Sequence, residues 1–182
     1  MEKKVQLPLT RNEARELVAG EKVLLNGIIY TARDAAHKRM LDNKAAGMDF
    51  PMPIENVAIY YAGPAPAKPG EVIGSCGPTT SGRMDAYAPK LMAYGQTVMI
   101  GKGLRNNEVI EAMKKEGAVY LTAIGGAGAL LAKCIKEATC IAYDDLGAEA
   151  IYKLRVEGFP AIVTIDSRGN NLYETGKSAF KV

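Results

Sequence analysis

Three short apolar runs, NVAIYYA at 56–62, QTVMI at 96–100 and AVYLTAI at 118–124, each end directly at a glycine and are separated by stretches with helical spacing. Runs of this length, rich in β-branched and aromatic residues, form strands, and strands alternating with helices build an α/β domain. The rest of the chain keeps the rhythm. VQLPL at 5–9 is a short strand, and TRNEARELVAG at 10–20 a short helix whose Thr10 and Glu13 have capping-box spacing. KVLLNGIIYTARD at 22–34 holds an Asn26-Gly27 pair and predicts a tight hairpin of two strands. Helices are expected over 34–47, over 84–95 with a kink at Pro89, over 107–117 behind a capping Asn106 or Asn107, over 126–137 and over 148–158. Strands are expected over 140–146, 160–166 and 171–174. Pro51, Pro53, Pro64, Pro66 and Pro69 exclude a long helix between 49 and 70, and the piece 64–70 is an ordered surface loop, since strand-like sequence resumes beyond it.

At 182 residues the chain is long enough for one substantial core, and a single domain over 1–182 is expected. Hydrophobic residues at 48% and charged residues at 24% are ordinary for a globular protein, which argues against disorder. No apolar run approaches the roughly 18 residues that span a bilayer, and the opening MEKKVQLPLTRNEAREL turns polar where a signal peptide turns apolar. The expectation is a cytoplasmic protein with no membrane partner. Lys and Arg alternate with Asp and Glu, and a net charge of +3 is too small to point to nucleic acid. Cys76, Cys134 and Cys140 lack metal-ligand spacing, so no metal is expected on this chain and the thiols are expected to be reduced and mostly buried.

The segment GSCGPTTSGRMD at 74–85 is the richest in chemistry. Gly77 and Gly82 let backbone approach a ligand, Pro78 stiffens the turn, and Thr79, Thr80 or Ser81 can cap a helix starting near Arg83. A helix start favours an anion, whereas a cation there lacks a partner unless a ligand supplies one. The alternative is a capped turn whose Arg83 pairs with Asp85 or with another surface carboxylate. Lys102, released between Gly101 and Gly103, and Arg33, four residues before His37, are further cations. Gathered in one pocket, Arg33, Arg83 and Lys102 would demand a multiply charged anion, and a dicarboxylate or a phosphate fits. A rival site, the strand, glycine turn and helix over 118–135, imitates a dinucleotide fingerprint, but Leu131 stands where the third glycine belongs. It is better read as a tightly packed turn.

GIIYTARDAAHKRM, YYAGPAPAKPGEVIGSCGPTTSGRMD, MIGKG, YLTAIGGAGALLAKCI and FPAIVTIDSRGNNLY, in that order, resemble the β subunit, or C-terminal domain, of the iron-sulfur class I fumarase and L-tartrate dehydratase family. The resemblance covers essentially the whole chain and implies a swivelling β/β/α domain with a mixed sheet flanked by helices. It implies a hydro-lyase, most directly fumarate hydratase and alternatively L-tartrate dehydratase, inactive without an α subunit that holds a [4Fe-4S] cluster. It also implies a hetero-oligomer, a small dicarboxylate substrate, and binding or catalytic roles for Arg33, Thr79, Arg83 and Lys102, with Thr79 as the candidate base. His37 is left behind the site or structural. A different class of reading is a non-catalytic carboxylate-binding module that kept the pocket without the metal partner.

Overall fold

The computed structural model describes residues 2–124 and 126–179, with the side chains of 177–179 excepted. Its strands are β1 (Lys3–Gln6), β2 (Lys22–Thr31), β3 (Ala58–Tyr60), β4 (Val98–Gly101), β5 (Val119–Thr122), β6 (Ile135–Ala142) and β7 (Ile151–Ile165). The helices are α1 (Arg11–Arg15), α2 (Asp34–Ala45), α3 (Ala88–Ala93), α4 (Asn107–Glu116), α5 (Gly128–Ala132) and α6 (Leu172–Ala179), with 3-10 turns at Ser81–Met84 and Asp144–Glu149. The sheet runs β1-β2-β3-β4-β5-β7-β6, and a further β2–β7 pairing closes β2, β3, β4, β5 and β7 into a ring. β1 to β5 pair in parallel, whereas β7 runs antiparallel to β2, β5 and β6. This is an α/β fold on a mixed sheet flanked by helices.

Alternation along β3, β4 and β5 divides the core in two, because successive side chains of a strand face opposite ways. Ala58, Tyr60, Val98, Ile100, Val119 and Leu121 join Leu25, Leu154 and Phe159 in one cluster. Ile59, Met99 and Tyr120 join Met40 of α2, Leu91 of α3 and Val109 and Met113 of α4 in the other. Burial on both faces explains why these three strands are continuous apolar runs rather than alternating ones.

Several local expectations hold. Thr10 and Glu13 form the capping box of α1, Asn106 Oδ1 accepts the Val109 N–H at 2.9 Å, and Gly117 closes α4 in the left-handed region. Others do not. Asn26-Gly27 makes no hairpin: β2 is one strand, and its pairing with β7 slips between Leu25 and Gly27, opposite Phe159 and Val156. Gly27 (φ 117°) and Gly158 (φ 62°) sit at this bulge, and Asn26 Oδ1 accepts the Gly158 N–H at 2.9 Å. A Cβ on Gly27 would lie 2.5 Å from the Leu7 carbonyl oxygen, so that glycine serves close packing and not a reversal. Residues 148–158 are no helix, because pairing with β2 on one edge and β6 on the other draws Ile151 onward into β7. The helix expected over 126–137 stops at Ala132 and gives way to β6. Leu172–Ala179 is helical, not a strand, with Asn171 Oδ1 accepting the Tyr173 N–H at 3.1 Å. Pro89 stands in the first turn of α3 and begins that helix without kinking it.

Candidate functional site

The parallel strands β2, β3 and β4 end side by side, and the loops at the carboxyl ends of parallel strands are where α/β folds, open or closed, carry ligand sites. Arg33 occupies the N-cap position of α2 just beyond β2, with its side chain making no capping bond. Tyr61 follows β3, and from it the chain leaves on the proline-rich excursion and returns. Ala62 bridges Pro78, and Thr79 sends both its N–H (2.7 Å) and its hydroxyl (2.9 Å) to the Tyr61 carbonyl. Lys102 follows β4, and the returning segment pairs with it. Thr80 bridges Lys102, the Ser81 N–H donates to the Lys102 carbonyl at 2.8 Å, and the Lys102 N–H donates to Ser81 Oγ at 3.1 Å. The segments carrying Thr79, Arg83 and Lys102 are thus stitched together, and Arg83 reaches across to α2, donating to Asp34 Oδ2 at 3.2 Å.

Gly101 is the residue that makes this stitching sterically possible. A Cβ there would collide with Ser81 Oγ and stand 2.9 Å from a ring carbon of Tyr61. The Tyr120 hydroxyl lies 2.8 Å from Ser81 Oγ and 2.9 Å from the Gly103 carbonyl. Since a carbonyl only accepts, the phenol proton goes to Gly103 and the Ser81 hydroxyl supplies the other bond. Burial raises the Tyr120 pKa, so the phenol keeps its proton.

The four expected site residues differ in setting. Lys102 and Arg83 have exposed side chains, and the Arg83–Asp34 pair is 55% and 32% accessible, which makes it a weak tether that water or an anion can exchange. Arg33 is more enclosed, with Nε 3.2 Å from Glu149 Oε1 but not aligned with it as a hydrogen bond. Thr79 is half-buried and spends its proton on a backbone carbonyl. Asp85 is not Arg83's partner: it accepts from Arg105 Nε at 2.6 Å and from the Asn106 N–H at 2.7 Å. Arg83 therefore pairs with a carboxylate other than Asp85, one of the two forms of the alternative reading, and it does so through an exposed contact.

Two expectations about the motif need correction. No α-helix begins near Arg83. Ser81–Met84 is one 3-10 turn whose N-cap Thr80 makes no side-chain capping bond, so a strong helix dipole is not available there. Gly77, in turn, meets protein and not a ligand: its Cβ would lie 3.4 Å from the Gly128 Cα, and the Cys76 N–H donates to the Gly128 carbonyl at 3.2 Å. The glycine turn before α5 is thereby a packing surface for residues 76–77, although Gly125 lies outside the described residues.

His37 is fully buried, its ring edge-on to Tyr61 at 5.4 Å between centroids. Burial lowers its pKa to about 4, against the pull of its hydrogen bond to Arg33 and beyond the help of Asp34. The neutral ring must carry its proton on Nδ1, because that atom sits 2.8 Å from the Arg33 carbonyl oxygen. His37 thus holds the peptide of Arg33. Asp34, Tyr61 and Tyr120 border these residues and escaped sequence reading, whereas Ser81, expected only as a possible cap, instead ties Lys102 to Tyr120. Only Asp34, adjacent to Arg33, carried a signal, and the others act through backbone groups or hydroxyls whose placement depends on the fold.

The cysteines do not converge. Cys76 is buried, its thiol pushed up to about 12 by burial, Cys134 is half-buried on the approach to β6, and Cys140 is exposed on that strand, so only one of the three is deeply buried. Among the described residues no three His, Cys, Asp or Glu side chains are grouped to hold a metal ion. These residues do not fit an iron-sulfur cluster. Among the described residues no helix is long and apolar enough to cross a membrane.

The family model described as Fumarase C-terminus matches residues 1–176. Fumarate hydratase 2 of Leishmania major is 44% identical over 168 residues, 90% of this chain and 29% of that protein. The aerobic class I fumarate hydratase of Escherichia coli K12 is 44% identical over 155 residues, 84% of this chain and 28% of that protein. A putative L(+)-tartrate dehydratase subunit beta of Methanocaldococcus jannaschii is 38% identical over 172 residues, 91% of this chain and 88% of that protein. This chain therefore spans less than a third of those two fumarate hydratases and most of the tartrate dehydratase subunit. With the match running through every strand of the sheet and every loop at its carboxyl edge, the chain belongs to the fumarase C-terminus family.

Proposed function

We propose that this chain is the β subunit of a hydro-lyase, most directly a fumarate hydratase, and supplies the cations that grip a dicarboxylate in a site completed by an α subunit. The observation that carries this reading is the clustering of Arg33, the Thr79–Arg83 turn and Lys102 at one edge of the sheet, with the exposed Arg83 guanidinium paired to the half-buried Asp34 carboxylate. Support for the subunit role comes from the relative named a tartrate dehydratase subunit beta. The same relative keeps L-tartrate as the alternative substrate.

Dehydrating malate removes a weakly acidic proton beside a carboxylate and expels hydroxide from the neighbouring carbon, the two leaving in sum as water, and negative charge gathers on that carboxylate as the proton leaves. Fixed cations that meet this charge lower the barrier, and in a site closed from water they count for more than in solution. Arg33, Arg83 and Lys102 are assigned that task, each charge-assisted hydrogen bond contributing about 1.5–3 kcal/mol. Thr79 is assigned to the proton. The side chain is half-buried and its hydroxyl proton is held by the Tyr61 carbonyl, so it becomes a base only if the neighbouring cations favour the alkoxide. The iron-sulfur cluster of the reading belongs to the α subunit, since Cys76, Cys134 and Cys140 do not converge.

The test is oxygen-free co-expression with the α subunit, followed by assays with fumarate, malate and L-tartrate. Turnover should require both chains, and Arg83→Lys should lower it about tenfold or more with the pair intact, because an ammonium cannot replace a bidentate fork. Full turnover by Arg83→Lys would remove Arg83 from the site. A pair that binds dicarboxylates without turning them over would favour the non-catalytic module.

A further inference from the structure

Beneath the site lies a charged side chain that the chemistry above does not use. Arg105, between Gly103 and α4, has no exposed side-chain surface, and a guanidinium is among the costliest groups to bury. Its neighbours compensate. Nε donates to Asp85 Oδ1 at 2.6 Å, Nη1 to the Met99 sulfur at 3.4 Å and Nη2 to the Tyr61 hydroxyl at 3.5 Å. Its Cζ also sits 5.3 Å from the Tyr61 ring centroid and 4.9 Å from that of Tyr120, within cation–π range of both. Burial opposes the charge, but Tyr61 and Asp85 outweigh it and raise the guanidinium pKa.

Stability alone is a poor account of such a pair, since apolar replacements of buried ion pairs are often neutral or stabilising. What sets Arg105 apart is where its partners lead. The Tyr61 carbonyl takes the N–H and the hydroxyl of Thr79. The Tyr120 hydroxyl joins Ser81 to Gly103, and so braces the turn around Lys102 from both sides. Asp85 ends the 3-10 turn that carries Arg83, and its second oxygen ties that turn to the start of α4. One guanidinium thus touches the supports of Thr79, Arg83 and Lys102, and those supports, Tyr61, Asp85 and Tyr120, come from three separate stretches of the chain.

We infer that Arg105 is a positioning residue, which fixes Tyr61, Tyr120 and Asp85 in one arrangement and through them holds Thr79, Arg83 and Lys102 in register. It touches no substrate. The inference rests on the hydro-lyase reading for its activity arm only. The decisive variant combines Arg105→Met with Asp85→Asn, which leaves no unpaired buried charge and keeps an oxygen for the Asn106 N–H. Hydrogen exchange on the assembled pair should show the Thr79 and Lys102 amides opening about tenfold faster or more, with β2 and β7 as protected as before. Anaerobic kinetics should show kcat down about tenfold or more, and Arg105→Lys should recover part of it, keeping the charge on Asp85 without reaching both tyrosines. Unchanged exchange at those two amides would overturn the inference whatever the activity. So would a kcat within about twofold of the parent despite faster exchange. A parent pair with no turnover would instead overturn the hydro-lyase reading and leave the exchange measurement to decide the role of Arg105.

Discussion

His37 is the residue in which burial and site geometry meet most directly. Folding holds its imidazole neutral with a pKa of about 4, whereas an exposed histidine titrates near 6.5. The unfolded chain therefore binds a proton that the folded chain refuses. The stability this histidine leaves intact is fully present above pH 6.5, drains away as pH falls, and is gone by about pH 4, below which the slope from this group ends. The size of the effect is about 3 kcal/mol. Urea unfolding from pH 7 to pH 4 should show it, and His37→Asn, which offers Arg33 an amide donor but cannot titrate, should flatten that part of the curve. Identical slopes in the two proteins would mean that the ring is protonated without cost. Sequence spacing put His37 near Arg33 on one helix face. That it serves the Arg33 carbonyl, and not a ligand, followed only from the packing of Tyr61 over α2.

At the scale of elements, what was legible were the pieces that carry their own instructions. The capping box of α1, the Asn106 cap and Gly117 stop of α4, and the three apolar runs of β3, β4 and β5 are local features with local causes. Errors fell where partners decide. Asn26-Gly27 has turn chemistry but serves a bulge against Gly158, and residues 151–158 are recruited as a strand by pairing on both edges. The candidate site shows the same division: Arg33, Thr79, Arg83 and Lys102 were visible as residue types in glycine-punctuated loops, Ser81 only as a possible cap, while Tyr61 and Tyr120, which meet Thr79 and Ser81 through a carbonyl and a hydroxyl, carried no sequence signature. Gly101 measures the tightness of that support. Gly101→Ala should cost about 1–3 kcal/mol in urea unfolding, as overpacking does, because its methyl must displace Ser81 or Tyr61. Gly176→Ala in α6, where nothing stands within 4 Å, should instead gain up to about 1 kcal/mol. Equal effects at the two positions would show that Ser81 yields freely.

For the molecule as a whole, the two core clusters divide Ala58–Tyr60, Val98–Ile100 and Val119–Leu121 between them, one cluster on each face. Neither can dissolve without removing a wall of the other, so we expect one cooperative unfolding transition. Phe159→Ala in the first cluster should cost about 3–5 kcal/mol, and Met113→Ala in the second about 2–5 kcal/mol. Both should move the same transition, followed by circular dichroism and by tyrosine fluorescence. Two separated transitions would reveal independent units.

The excursion between Tyr61 and Thr79 closes on its own starting point, because the Thr79 N–H donates to the very carbonyl from which the chain departed, and Cys76 pins the returning limb on the way, its N–H on the Gly128 carbonyl and its carbonyl on the Tyr60 hydroxyl. Its proline-studded tip over 64–71 is thus mechanically short-circuited from its roots. Lengthening, trimming or recomposing that tip should therefore redraw the outline of the chain there while Thr79 keeps its place on the Tyr61 carbonyl.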